Sequence, residues 1–171
     1  APVECDDVVL TGPDSSVLLI LANAKLTIGP TTRFEIASTT KVEASKQPNV
    51  SLLNLTYGKL RAIVNPPKKD SKGPKSGQAN AFQIRTATAV AGVRGTDFFV
   101  AYDANAGVTD QATIEGSVEV SQTGSKESVL VEGGKQVTLD ATPQAALKAV
   151  QIRDSIRNDI RVVSASARDD K

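Results

Sequence analysis

In the run Gly92-Val-Arg-Gly-Thr-Asp97, a single guanidinium sits between two glycines, shortly before a carboxylate. Glycine admits backbone angles closed to other residues, so a Gly-x-x-Gly pair marks a bend or a close backbone approach. An arginine held in such a bend offers its donors in a fixed fork that suits a carboxylate or main-chain carbonyls. The structural motif is therefore read as Gly92, Arg94, Gly95, Thr96 and Asp97, with Arg94 clamping Asp97 or nearby carbonyls. Removing Arg94 would strand its buried partners, so Arg94→Ala is expected to destabilise the fold. The run is no phosphate loop, because it lacks the Gly-Lys-Ser/Thr ending and the helix that follows it.

Other residues offer little chemistry. The chain has no His, which removes imidazole bases, Ser-His-Asp triads and histidine metal sites. Cys5 is the only cysteine, so it forms no internal disulfide and no thiolate cluster. Asp97, Glu115 and Glu119 are carboxylates on strand-like sequence, and the two glutamates alternate with Ser and Thr as on a wet strand face. A glycosidase-type acid pair is the weaker reading. Asp103, Asn105 and Asp110 around Gly107 have the flavour of a calcium loop, but no terminal bidentate Glu follows and no helices flank them. Lys68, Lys69, Lys72 and Lys75 form a cluster that could touch an anionic polymer. No aromatic residue interleaves with them, which argues against stacking on nucleic-acid bases. No catalytic residue, cofactor or metal is expected.

Period-two alternation dominates the elements that must position these residues. In 113–121, Ile114, Gly116, Val118 and Val120 face one way, while Thr113, Glu115, Ser117, Glu119 and Ser121 face the other. Residues 96–102 alternate too, with Phe98, Val100 and Tyr102 on one side. Further strands are predicted at 17–21, 25–28, 33–37, 51–57, 59–64, 81–86, 129–131 and 135–139. Gly, Pro, Asn and Asp separate them. The fold class is all-β, with many short strands in a sandwich, jelly-roll or β-helix-like stack. Residues 65–80 hold prolines, glycines and lysines without strong apolar anchors and read as a flexible loop. From Thr142-Pro143 onward, Leu147, Val150, Ile152, Ile156, Ile160 and Val163 recur at mostly helical spacing. This predicts one amphipathic helix over 142–164 packed on a β domain of 7–140, with a tail at 165–171.

The chain of 171 residues suits one domain with a terminal helix. Aromatic residues are only 4%, so aliphatic side chains must build the core, and a net charge of +1 makes no global attractor for nucleic acid. No apolar run reaches the ~18 residues of a membrane span. The absence of Met and the opening Ala1-Pro2-Val3 read as an exported chain, periplasmic or secreted in a bacterium, with its leader removed.

Residues 86–98 with their Gly-Val-Arg-Gly-Thr core are followed by Thr113-Ile-Glu-Gly-Ser-Val-Glu-Val120 and by Val129-Leu-Val-Glu-Gly-Gly-Lys-Gln-Val-Thr-Leu139. A looser match lies upstream in Thr11-Gly-Pro-Asp-Ser-Ser-Val-Leu-Leu19 and Lys25-Leu-Thr-Ile-Gly-Pro30. In this order, over roughly residues 7–139, the sequence resembles the FecR-like domain family of bacterial envelope proteins. The resemblance implies a periplasmic, non-catalytic domain whose partner is another envelope protein, in signalling or assembly. The alternative is a cell-wall or polysaccharide-binding module that holds peptidoglycan or another glycan through the lysine loop.

Overall fold

The computed structural model describes residues 3–21, 23–40, 49–66, 82–93, 95–142 and 146–166. In chain order the strands are β1 (Val8–Leu10), β2 (Val17–Ile20), β3 (Ala24–Ile28), β4 (Arg33–Thr40), β5 (Asn49–Val64), β6 (Phe82–Arg85) and β7 (Ala89–Val93). They continue as β8 (Asp97–Asp103), β9 (Val108–Glu115), β10 (Ser117–Gln122), β11 (Ser128–Glu132), β12 (Lys135–Leu139) and β13 (Val150–Gln151), and helix α1 (Asp154–Ser166) closes the described chain. All 13 strands join one mixed sheet that curls over on itself as a half-barrel. The β5–β6 pair is parallel and every other pairing is antiparallel.

The long strand β5 is the hinge of this sheet. Its first part pairs with β4 and β6, and its second part pairs with β3 and β8. Around it, β1, β4, β6, β7, β10 and β11 make one layer, and β2, β3, β8, β9, β12 and β13 make the other. The inward-facing residues change parity within β5: Leu53 and Leu55 are buried before the bend, and Leu60, Ala62 and Val64 after it. Gly58 stands between the two phases with φ 102°. The two strands predicted at 51–57 and 59–64 are thus a single bent one.

The same device recurs wherever the chain passes between layers after β3, β7, β9 and β11. Thr31, Gly95, Gly116 and Gly134 occupy these corners with φ of 50°, 96°, 88° and 85°. Gly116 therefore divides the strand predicted at 113–121. Val118 and Val120 stay inside and Glu119 outside, as the alternation predicts, but Thr113 is fully buried.

Aliphatic side chains of both layers, with Phe34, Phe82 and Phe98, form the main core. At one end it is polar. The Thr109 hydroxyl bonds those of Thr86 at 2.6 Å and Thr88 at 2.7 Å, and the buried Gln111 amide donates to Thr113 Oγ1 at 3.1 Å. Replacing Thr109 with Val keeps the shape and takes one hydrogen-bond partner from each of the Thr86 and Thr88 hydroxyls. We expect a loss of about 1–2 kcal/mol in chemical denaturation.

The C-terminal helix starts later than its periodicity predicts. Leu147 and Ala149 pack on the main core, Val150 pairs with Gln136 in β13, and among the described residues only Asp154–Ser166 is α-helical. The backbone at 140–142 is engaged in another way. Asp140 Oδ1 accepts from the Thr142 amide at 2.8 Å, and Gln122 Nε2 donates to the carbonyls of Asp140 and Thr142. Tertiary pairing overrides local helical spacing along 146–153, so the helix over 142–164 is corrected to one beginning at Asp154.

Candidate functional site

The Gly-Val-Arg-Gly-Thr segment is the corner between β7 and β8. Gly92 is buried in β7. At Gly95 a Cβ would stand 2.9 Å from Pro66 Cα and 3.0 Å from Pro66 N, and φ is already left-handed, so only glycine fits. Thr96 ties three pieces of chain together. Its N–H donates to the Val64 carbonyl at 3.1 Å, the Val64 N–H donates to its carbonyl at 2.9 Å, and its hydroxyl donates to the Ser117 carbonyl at 3.0 Å. This last bond fastens the Gly95 corner to the neighbouring Gly116 corner.

Asp97 gives both carboxylate oxygens to Arg61 of β5. Arg61 Nε donates to Oδ1 at 2.9 Å and Nη2 to Oδ2 at 2.6 Å, a bidentate fork across neighbouring strands. The remaining Nη1 donates to Ser164 Oγ of α1 at 2.7 Å, and that hydroxyl donates to the Ile160 carbonyl at 2.6 Å. The arginine expected to face Asp97 was Arg94, which lies outside the described residues, as do Lys68, Lys69, Lys72 and Lys75. Hydrogen bonding to Asp97 raises the Arg61 pKa above its ordinary value, partial burial lowers it, and the charge of Asp97 adds a smaller raising effect. A raised folded value stabilises the fold at every pH below the arginine's unfolded value. The arginine's contribution to the clamp is therefore constant throughout the ordinary pH range.

Arg61 also lies in an unbroken row of paired residues across the outer face of the second layer: Leu18, Thr27, Arg61, Phe99, Ala112, Gln136 and Val150. Helix α1 covers the middle of that row, where Phe99 and Ala112 pack against Ile152, Ile156 and Val163. Lys59 Nζ with Asp159 at 2.7 Å and Arg153 Nη2 with Asp110 at 2.8 Å pin the helix at its flanks. The Arg153 N–H donates to Gln136 Oε1 at 2.8 Å. The outer site is thus an anchoring strip, and neither Arg61 nor Ser164 stood out in the sequence. Arg61 alternates with Lys59 and Ile63 like any wet-face residue until a helix is laid over it.

The candidate calcium residues are used otherwise. Asp103 Oδ1 caps its own turn through the amides of Asn105 and Ala106, and Asp110 pairs with Arg153. Among the described residues no group of His, Cys, Asp or Glu is arranged to hold a metal.

The sheet has open margins. Among the described residues β1, β2, β11 and β13 each pair on one side only. They carry the exposed apolar side chains Val8, Leu10, Leu18, Ile20, Leu130 and Val150.

The profile of the FecR protein family matches residues 7–119, more than half of the chain. The chain belongs to the FecR family. The match takes in the Gly95 corner and the Glu-Gly-x-Val strand start at Gly116, and it ends before β11 and β12. No protein of curated function matches the sequence. Two crystal structures of a candidate anti-sigma factor from Parabacteroides distasonis ATCC 8503 share the fold. One, at 16% identity and TM-score 0.61, aligns over 85% of this chain and 59% of its own. The other, at 15% identity and TM-score 0.64, aligns over 91% and 64%. The chain therefore spans about three-fifths of the length of these neighbours. Among the described residues no helix is long and apolar enough to cross a membrane.

Proposed function

We propose that this FecR-family chain is a non-catalytic, periplasmic module that acts by binding another envelope protein, in signalling or assembly. Family membership over residues 7–119 carries this reading. The exposed apolar residues on single-sided strands supply the physical means, since an open edge accepts an extended segment of a partner through main-chain hydrogen bonds. The Gly95 corner and the Arg61–Asp97 clamp serve the framework, because their polar groups are spent on one another and on α1.

Placing a photoactivatable crosslinker at Leu10 or Leu130 in cells tests the reading. Specific adducts with one or a few envelope proteins are expected. No adduct at either site, together with salt-sensitive retention of the chain on purified cell-wall sacculi that disappears when residues 65–80 are deleted, would favour the polysaccharide-binding alternative.

A further inference from the structure

Among the described residues nothing covers or blunts the free edge of β2. Its sequence is Val17-Leu-Leu-Ile20, without charge or proline and apolar on both faces. Leu18 and Ile20 are 37% and 57% exposed on the outer face, while Val17 and Leu19 lean on the main core. Folded proteins usually blunt such an edge with lysine, proline or a bulge, because a bare row of N–H and C=O groups templates another strand.

The register fixes which groups are bare. The Leu21 N–H donates to the Ala24 carbonyl at 2.8 Å, and β2 pairs with β3 in the same frame: Leu19 with Leu26, and Val17 with Ile28. Antiparallel ladders alternate hydrogen-bonded and non-bonded pairs. Residues 17, 19 and 21 thus point their main-chain groups at β3, and Leu18 and Ile20 point theirs at the open edge.

We propose that this edge receives the same edge of a second copy of the chain, antiparallel about a twofold axis at Leu19. Residues opposed across a sheet must share a face, so the two position numbers must sum to an even value. Centring on Leu19 opposes Leu18 with Ile20 of the other copy and Val17 with Leu21. Leu18 and Ile20 are also the residues whose main-chain groups are free, so the pairing closes hydrogen bonds as well as apolar contacts. The strand is self-complementary, because no position opposes like charges. The net charge of +1 adds almost no long-range repulsion between copies. A four-residue edge alone covers far less than the roughly 1,200 Å² of a stable interface, so the dimer is weak and forms in a concentration-dependent way. It does not depend on the envelope-signalling reading, which a monomeric chain would leave standing.

The test is sedimentation of the full chain from ~10 μM to ~1 mM, with melting curves to show that every variant is folded. The parent is expected to shift from monomer to dimer across this range. Leu18→Lys with Ile20→Lys sets lysine against lysine at both pairs and should leave only monomer. Leu18→Lys with Ile20→Glu sets lysine against glutamate in the Leu19-centred register and should restore a dimer that salt weakens. In a register centred on Leu18, the same variant would oppose Lys with Lys. A parent that stays monomeric, or a dimer that survives the double-lysine change, overturns the proposal. A Lys/Glu variant that stays monomeric overturns the Leu19-centred pairing.

Discussion

Gly58→Ala should cost about 4 kcal/mol, a large share of the roughly 5–15 kcal/mol that typically separates folded from unfolded chain. Two penalties add at this residue. With φ at 102°, an L side chain is strained by about 1–3 kcal/mol. The new Cβ would also stand 2.5 Å from Thr32 Cα and collide with Thr32 Oγ1, and such overpacking costs a further ~1–3 kcal/mol. Thr32 cannot step back easily. Its hydroxyl accepts from the Lys59 N–H at 3.0 Å and donates to the Pro30 carbonyl at 3.1 Å, while its own N–H donates to Thr11 Oγ1 at 2.9 Å. The control is Gly107→Ala. Gly107 also has positive φ, at 66°, but a Cβ there meets nothing within 4 Å, so only the strain of about 1 kcal/mol remains. Urea unfolding of both variants should separate them by about 3 kcal/mol. Equal losses would mean that the β5 bend does not depend on the close approach of Thr32.

Phe99→Ala should cost about 3–5 kcal/mol, and the loss should fall on the helix before the sheet. Phe99 is fully buried, but it belongs to a separate small cluster with Ala112, Ile152, Ile156 and Val163. Its neighbours Phe98 and Val100 point into the main core, so β8 is buried on both faces by different partners. Without the ring, the remaining aliphatic contacts and the flanking ion pairs must hold α1. Pairs as exposed as Lys59–Asp159, whose side chains are 30% and 34% accessible, contribute at most about 1 kcal/mol. Limited trypsin digestion reads this directly. Cleavage after Arg157 and Arg161 should rise by at least about tenfold in Phe99→Ala while the sheet stays intact. Unchanged protection of the helix would show that its anchorage lies elsewhere.

Much of this architecture is legible in the sequence, because alternation survives wherever a strand has one wet face. Val118, Val120, Phe98 and Val100 lie inside as their spacing predicts. The family could be read from the order of short motifs around Gly92, Gly95 and Gly116, and it matches. The misreadings share one physical origin, which is contact with distant chain. Thr113 reads as wet because it alternates with Glu115, yet the corner at Gly116 resets the pattern and the Thr–Gln interior accommodates it. Leu147 and Val150 lie three apart, as on one helix face, but the edge of β12 claims Val150 as a strand residue. Arg94, close to Asp97 in sequence, lies outside the described residues, and the partner that spacing did not point to is Arg61, which the β5–β8 ladder brings alongside both Asp97 oxygens. Local spacing reports on burial, and it reports poorly on which polar group meets which.

On our proposal the Gly95–Asp97 corner builds the domain, and binding happens at the sheet margins. Asp97→Ala tests it most directly, with thermal melting and in-cell crosslinking from Leu10 measured on the same variant. Arg61 and Asp97 side chains are 24% and 16% accessible, so the stranded guanidinium still reaches some water. The cost is therefore about 2 kcal/mol, below the roughly 3–5 kcal/mol of a fully buried pair. For a chain of this size that lowers Tm by roughly 4–8 °C. We predict that drop, with Leu10 adducts retained at growth temperatures below the new Tm. A variant that melts with the parent and loses its adducts would overturn this assignment, because the corner would then be the binding surface itself.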